Sequence, residues 1–324
     1  MKFKLENMLF TRPPVLLFEL EDRCNMLCPM CSTQRHRKSR FKRLTIDEIK
    51  RRVLGQYRFA GGRFLHITGG EPTLSEHLEE VLKYAVRIGL SISLFTNLYQ
   101  ITAERMKQIL EIISDSHHRI LISHDSVFPE EIKAIRGVDA HYEITKNLKQ
   151  LLQIKKALNA KTKVVANVVL QETNCQRIAD TINFLTRFDL DKIFIGLIHL
   201  FGEINELNFH QVTPPCSREN FPALLRAIET IFEMKKNNPR INLSHGDDIE
   251  RWRRHFSVPT NHQHICRSDK LLFVSRHGDY RGCHQSRVYA NIREIGMVDF
   301  LKSGYYEEHR RLLTKCNICT SECS

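Results

Sequence analysis

The sequence predicts an α/β fold: a partial (β/α)6 barrel of TIM type with a small C-terminal extension built from a β-hairpin and a helix. Three observations carry this. Six short β-rich runs alternate with five stretches of helical period between Val15 and Leu197. Each polar or glycine-rich motif falls late in one of those runs or just after it, the end where such barrels carry their chemistry. Beyond them the alternation fades and a short cysteine-bearing tail closes the chain.

The expected strands are Val15 to Leu20, Phe64 to Thr68, Ser91 to Thr96, Arg119 to Ser123, Lys163 to Val169 and Lys192 to Leu197, each rich in β-branched or aromatic residues. The expected helices between them are Ile46 to Tyr57, His77 to Ile88, Ala103 to Ser114, Tyr142 to Leu158 and Cys175 to Phe188. Thr45 and Glu48 form a capping-box pattern before the first, and Gly89 supplies a stop for the second. The stretch Arg218 to Asn237 reads as one long amphipathic helix, and His277-Gly278-Asp279 is a hairpin signal. The division expected is a barrel over 1–205, a bridging helical region over 206–265 and a tail domain over 266–324.

At 324 residues the chain is long enough for a full core. It opens MKFKLENMLF and holds no run of eighteen apolar residues, so neither a signal peptide nor a membrane span is expected. The ten cysteines fall mostly in tight clusters, a pattern of metal ligation in a reducing compartment, and the expected location is cytoplasmic. The formal charge of +12 favours acidic or phosphorylated partners, and no nucleic-acid-binding motif is visible.

Cys24, Cys28 and Cys31 place three thiols within eight residues, directly after the first strand. Three thiolates at this spacing suit three corners of an iron–sulfur cube with the fourth iron open. Zinc, with His36 as a fourth ligand, and disulfides fit the same spacing. Gly69-Gly70-Glu71-Pro72 follows the second strand, Thr96-Asn97 ends the third, Ser123 and Asp125 end the fourth, and Asn167 lies late in the fifth. All converge on one mouth of the barrel.

The Cys-x3-Cys-x2-Cys loop after the first strand, with Gly-Gly-Glu-Pro after the second, resembles the radical S-adenosylmethionine (SAM) superfamily over roughly residues 14 to 205. The resemblance implies a 4Fe-4S cluster on Cys24, Cys28 and Cys31 whose open iron is chelated by SAM. Reductive cleavage of SAM would then give a 5′-deoxyadenosyl radical that takes hydrogen from substrate, with flavodoxin or ferredoxin as electron donor. It also implies SAM contacts from Gly69, Gly70, Glu71, Pro72, Thr96, Asn97, Ser123 and Asn167, and an adenine edge at Ile195 within Ile193 to Leu197. Met30 stands where this family often has an aromatic residue; a thioether packs on adenine as well. Arg136-Gly137 resembles an Arg-Gly element near the site in relatives.

The tail reads Cys266, Gly278, Cys283, then Cys316, Cys319 and Cys323. It resembles the SPASM and twitch extensions of radical SAM enzymes, which implies an auxiliary 4Fe-4S cluster on Cys266, Cys283, Cys316 and Cys319, with Cys323 spare or replacing one of them. A zinc ribbon fits the same spacing. Cys175 and Cys216 belong to neither group and are candidate hydrogen-atom donors, or small buried hydrophobes. The basic run Arg35 to Arg43 is placed to steer a phosphate or carboxylate.

The expected activity is oxidation or epimerisation of a small metabolite such as a sugar, aminocyclitol or nucleoside. The alternatives are maturation of a ribosomally made peptide and a zinc-containing nucleic-acid-binding protein.

Overall fold

A computed structural model describes residues 14–31, 39–198, 217, 219–244, 246–257, 270–282 and 287–314. The first half of the chain runs β1 (Val15–Glu21), α1 (Ile46–Glu48), a π-helical segment (Ile49–Gly55), α2 (Gln56–Phe59), β2 (Phe64–Gly69), α3 (Leu78–Arg87), β3 (Ser91–Thr96), α4 (Ala103–Ile112), β4 (Arg119–Ser123), α5 (Pro129–Arg136) and α6 (His141–Ala157). It continues with β5 (Lys163–Leu170), α7 (Ile178–Thr186), β6 (Lys192–Leu197), α8 (Phe221–Asn237), β7 (Ile241–Leu243), α9 (Ile249–Ser257), β8 (Leu271–Val274), β9 (Asp279–Arg281), β10 (Val288–Asn291), α10 (Met297–Leu301) and α11 (Gly304–Thr314).

The ten strands form one sheet in the order β10-β9-β8-β1-β2-β3-β4-β5-β6-β7. From β8 through β7 every neighbouring pair is parallel, while β9 and β10 are antiparallel. The six expected strands are present in the expected order, in a partial barrel with a C-terminal extension. The region expected to be only helical, 206–265, also contributes β7, which pairs with β6 through Ile193 and Ile241. A three-residue strand is too short to show a period of two in sequence.

Local chemistry accounts for the element ends. Thr45 Oγ1 accepts the Glu48 N–H at 3.2 Å while the Glu48 carboxylate accepts the Thr45 N–H at 2.9 Å, completing the capping box. Thr102 Oγ1 caps α4 by accepting the Arg105 N–H at 3.2 Å. The helix expected over Ile46 to Tyr57 is interrupted by the π segment, a local widening that propensity does not register. Beyond it Tyr57 is fully buried, its hydroxyl 2.8 Å from the Pro14 carbonyl oxygen.

Successive side chains on each parallel strand alternate between two environments. Leu16, Phe18, Leu65, Ile67, Ile92, Leu94, Ile120, Ile122, Val164, Ala166, Ile193 and Ile195 join helix residues such as Leu82, Ile109, Leu148, Ile182 and Leu224 in one continuous core. The intervening residues line the inner face. The register sets Glu19 beside Thr68, Ser123 beside Asn167, and Asn167 beside Phe194.

Candidate active site

The loop after β1 carries Cys24, Cys28 and Cys31, all half-buried and none in a disulfide. It rests on the turn after β2. Gly69 has φ +135°, and a Cβ there would lie 2.1 Å from the Glu21 carbonyl oxygen; one on Gly70 would lie 2.0 Å from the Arg23 carbonyl oxygen. The Gly70 N–H donates to Glu21 O at 2.6 Å and the Glu71 N–H to Arg23 O at 2.8 Å. The two glycines are therefore needed by the chain's own backbone, which packs the turn directly against the cysteine loop.

Glu71 is 1% exposed. Its carboxylate accepts the Thr73 N–H at 3.1 Å, the Thr73 hydroxyl at 2.7 Å, the Thr96 hydroxyl at 2.8 Å and the Asn97 N–H at 2.7 Å. Burial pushes its pKa up, and those donors pull the other way. The side chain is thus the knot that ties the β2 turn to the end of β3. Pro72 is buried and opens a short 3-10 turn that Glu71 caps. Asn97 continues outward: its Nδ2 donates to Asn25 Oδ1 at 2.9 Å and stands 3.9 Å from Cys24 Sγ, while Asn25 Nδ2 donates to the Tyr99 carbonyl at 2.7 Å.

The opposite side of the loop is held by the end of α5. The Leu27 N–H donates to Arg136 O at 2.9 Å. Gly137 closes the helix with φ +72°, where a Cβ would meet Leu27 O at 2.5 Å. Arg136 Nη1 lies 3.8 Å from Cys28 Sγ, and Arg136 Nη2 pairs with Asp125. Spacing alone does not reveal the Asn25, Asp125 and Arg136 contacts with this loop. The only local signal is the Arg136-Gly137 dipeptide at a helix end.

On the inner face, Ser123, at the C-terminal end of β4, and Asn167, late in β5, are register partners. Glu19, Thr68, His66 and Phe95 share that face; the His66 and Phe95 ring centroids are 5.5 Å apart. Burial pushes the Glu19 carboxyl pKa up, with Arg281 opposing, and pushes His66 down to about 4. Met30 packs at the edge of the main core.

The side chain of Ile195 is not on this face. It is fully buried on the helix side with Ile193, and Phe194 and Gly196 take the inner positions, as a period of two requires. Cys175 is likewise buried in the main core, 3% exposed, with its thiol donating to the Glu172 carbonyl at 3.2 Å. Cys216, Cys266, Cys283, Cys316, Cys319 and Cys323 lie outside the described residues, as do Arg35, His36, Arg37 and Lys38. Arg40 pairs with Glu294, and Arg43 with Asp22.

The donor set fits an iron–sulfur cluster. Among the described residues, the only group of three or more His, Cys, Asp or Glu side chains with ligand atoms mutually within 4.8 Å is Asp115, His117 and His118. The three thiols are not gathered that tightly, whereas sulfurs on one tetrahedral zinc sit about 3.8 Å apart. Arg136 Nε is buried without a hydrogen-bond partner among the described residues, a donor left over beside the sulfurs for an anionic group. The Asp115 group is a poor ion site. His118 Nδ1 accepts the Ile92 N–H at 3.1 Å, which puts the proton of the neutral ring on Nε2 and leaves no lone pair for a metal.

The sequence matches the radical SAM superfamily over residues 19–185, more than half of the chain. The chain belongs to the radical SAM superfamily. It is accordingly a radical SAM enzyme, and the family's 4Fe-4S cluster and SAM are its cofactors. Its similarity to a PqqA peptide cyclase of Bradyrhizobium diazoefficiens is 27% identity over 194 residues, 60% of this chain and 48% of that protein. The chain thus spans about half the length of that relative. A probable GTP 3′,8-cyclase of Sulfolobus acidocaldarius is 23% identical over 303 residues, 93% of this chain and 89% of the relative. In fold it resembles SuiB of Streptococcus suis bound to its precursor peptide SuiA, with TM-score 0.70 at 16% identity, covering 95% of this chain and 70% of that one. No helix among the described residues is long and apolar enough to cross a membrane.

Proposed function

We propose that this radical SAM enzyme acts on a peptide, in the manner of a peptide-maturation enzyme, and that its tail carries an auxiliary 4Fe-4S cluster. The observation that carries the peptide reading is the similarity to PqqA peptide cyclase, which spans 60% of the chain. The family match includes the cysteine loop, the Gly69-Gly70 turn and the inner-face residues Glu19, Thr68, Ser123 and Asn167. On this reading residues 1–205 form the catalytic barrel, 206–265 the bridge and 266–324 the auxiliary-cluster domain.

Cys24, Cys28 and Cys31 would hold the first cluster, and Gly69, Gly70, Pro72, Ser123 and Asn167 would line the SAM site, with Glu71, Thr96 and Asn97 keeping those walls in place. When bound, the cluster and SAM supply a one-electron route to a radical that takes a hydrogen atom from substrate. The chain's own residues then have to hold the substrate and take up a proton. Glu19, an inner-face carboxyl raised by burial, is placed among the groups available for that. Removal of one hydrogen atom, one electron and one proton is a two-electron oxidation. The electron would pass to the auxiliary cluster on Cys266, Cys283, Cys316 and Cys319, with Cys323 as the alternative ligand.

A second reading, oxidation or epimerisation of a nucleoside or sugar-like metabolite, draws on the similarity to the GTP 3′,8-cyclase, which extends over 93% of the chain. Epimerisation would require a hydrogen-atom donor, and Cys216 is the candidate. One experiment separates the two readings. Anaerobic protein is given SAM, reductant and either a deuterated peptide pool or deuterated nucleotides and sugars, and 5′-deoxyadenosine is examined by mass spectrometry. Deuterium arriving from the peptides supports the first reading. Deuterium arriving only from the nucleotides or sugars replaces it with the second.

A further inference from the structure

We propose that the buried Asp125–Arg136 pair is a positioning device: it fixes a guanidinium against Cys28 and thereby sets the reduction potential of the cluster held by the cysteine loop. The inference rests on family membership and is independent of the substrate.

The pair is anchored from both ends. Asp125 has no exposed surface, and the Arg136 side chain is 11% exposed. Asp125 Oδ1 accepts the Val169 N–H of β5 at 2.9 Å. Its main-chain carbonyl accepts Asn174 Nδ2 at 2.9 Å, and the same amide reaches Val169 O at 2.9 Å. Asp125 therefore moves only with β5. Arg136 ends α5, where its carbonyl accepts the Leu27 N–H and Gly137 presses on the Leu27 backbone. Met26, Ile132, Ala140 and Ile144 fill the space beneath, with Cys24 and Cys28 packed against them. The guanidinium consequently has one place to be, 3.8 Å from Cys28 Sγ.

Backbone contacts alone would stitch the loop to the helix. The ion pair adds a full charge at a cluster ligand in a water-poor site, where charge acts strongly. Net charge and hydrogen bonds to sulfur are among the terms that set iron–sulfur potentials. Arg136 stabilises the reduced, more negative cluster and raises its potential. Asp125, paired with Arg136 Nη2 while Nη1 faces Cys28, offsets part of that effect. The two residues thus push the potential in opposite directions, a result that a merely structural role would not produce.

The test is a redox titration of the anaerobically reconstituted full-length protein, followed by electron paramagnetic resonance. The signal that changes on adding SAM belongs to the barrel cluster. Arg136→Gln is expected to move that midpoint to more negative potential and Asp125→Asn to less negative potential, with Arg136→Lys between Arg136→Gln and wild type. Shifts of the same sign in Arg136→Gln and Asp125→Asn, or no shift in either, overturn the proposal. If Arg136→Gln does not retain iron, the other two variants decide. Arg136→Lys at or slightly below wild type with Asp125→Asn above it supports the proposal, and equal midpoints in all three proteins overturn it. Iron analysis of a Cys24, Cys28 and Cys31 triple variant tests the premise separately, since unchanged iron there removes the cluster from the loop and the inference with it.

Discussion

Gly70 lies flat against Arg23. A Cβ on Gly70 would stand 2.0 Å from the Arg23 carbonyl oxygen, and the following residue, Glu71, donates its N–H to that same oxygen at 2.8 Å. The turn that would face SAM and the loop that would hold the cluster are therefore one packed unit. Gly70→Ala is expected to cost about 3 kcal/mol by overpacking and to lower iron retention. Gly89→Ala, where φ is +75° and no atom lies within 4 Å of the added Cβ, is expected to cost about 1 kcal/mol and to leave iron untouched. Urea unfolding and iron analysis of the two variants check the contrast; equal effects would show that Gly70 is not under steric constraint.

Glu71→Ala removes the acceptor of four hydrogen bonds in a buried site. Unpaired buried donors are expensive, and a loss on the order of 3 kcal/mol is expected, with Glu71→Gln recovering part of it. The measurement is urea unfolding of the apoprotein. Wild-type stability in the alanine variant would mean that the knot between the β2 turn and β3 carries no energy.

Replacing Cys24, Cys28 and Cys31 together is expected to abolish 5′-deoxyadenosine formation while leaving about four irons per chain in the tail. Anaerobic iron and sulfide analysis, with chromatography of the nucleoside, reads both quantities. Continued nucleoside formation would refute the ligand assignment, and zinc in the tail in place of iron would refute the auxiliary cluster.

The pair between Glu48 and Arg293 joins the first helix to the segment after β10, at 2.7 Å. The Arg293 guanidinium holds the Glu48 carboxyl at a pKa of about 2, below the ordinary 4.5. The folded state thus binds the proton more weakly than the unfolded one. The stabilisation is full above pH 4.5 and is lost as pH falls toward 2. The pair is partly exposed, so about 1 kcal/mol is expected. Urea unfolding of wild type and Arg293→Met against pH should show their difference shrinking across that interval. A constant difference would assign the effect to the bonds from Arg293 to the Lys42, Arg43 and His277 carbonyls.

Local rules carried the sequence a long way. Period and propensity located all six barrel strands, and the capping box at Thr45 and Glu48 formed as written. The cysteine spacing and the glycine pair marked the loop and turn that the fold brings together, because both motifs are short and lie at strand ends. What the sequence could not determine depends on residues far apart in the chain. Arg136 reaches Cys28 across 108 positions and Asn97 reaches Asn25 across 72. The resemblance that placed Ile195 at the adenine edge did not fix the face of its strand; pairing with β5 turns that side chain into the helix-side core. β7 is too short to announce itself, and it exists because the edge of β6 has backbone groups to satisfy. Sequence by itself determined the spacing of the cysteine loop and the glycine turn and their places at strand ends, since those patterns are local. Only the tertiary structure decided which charge stands beside which thiol, since that depends on how separate elements pack.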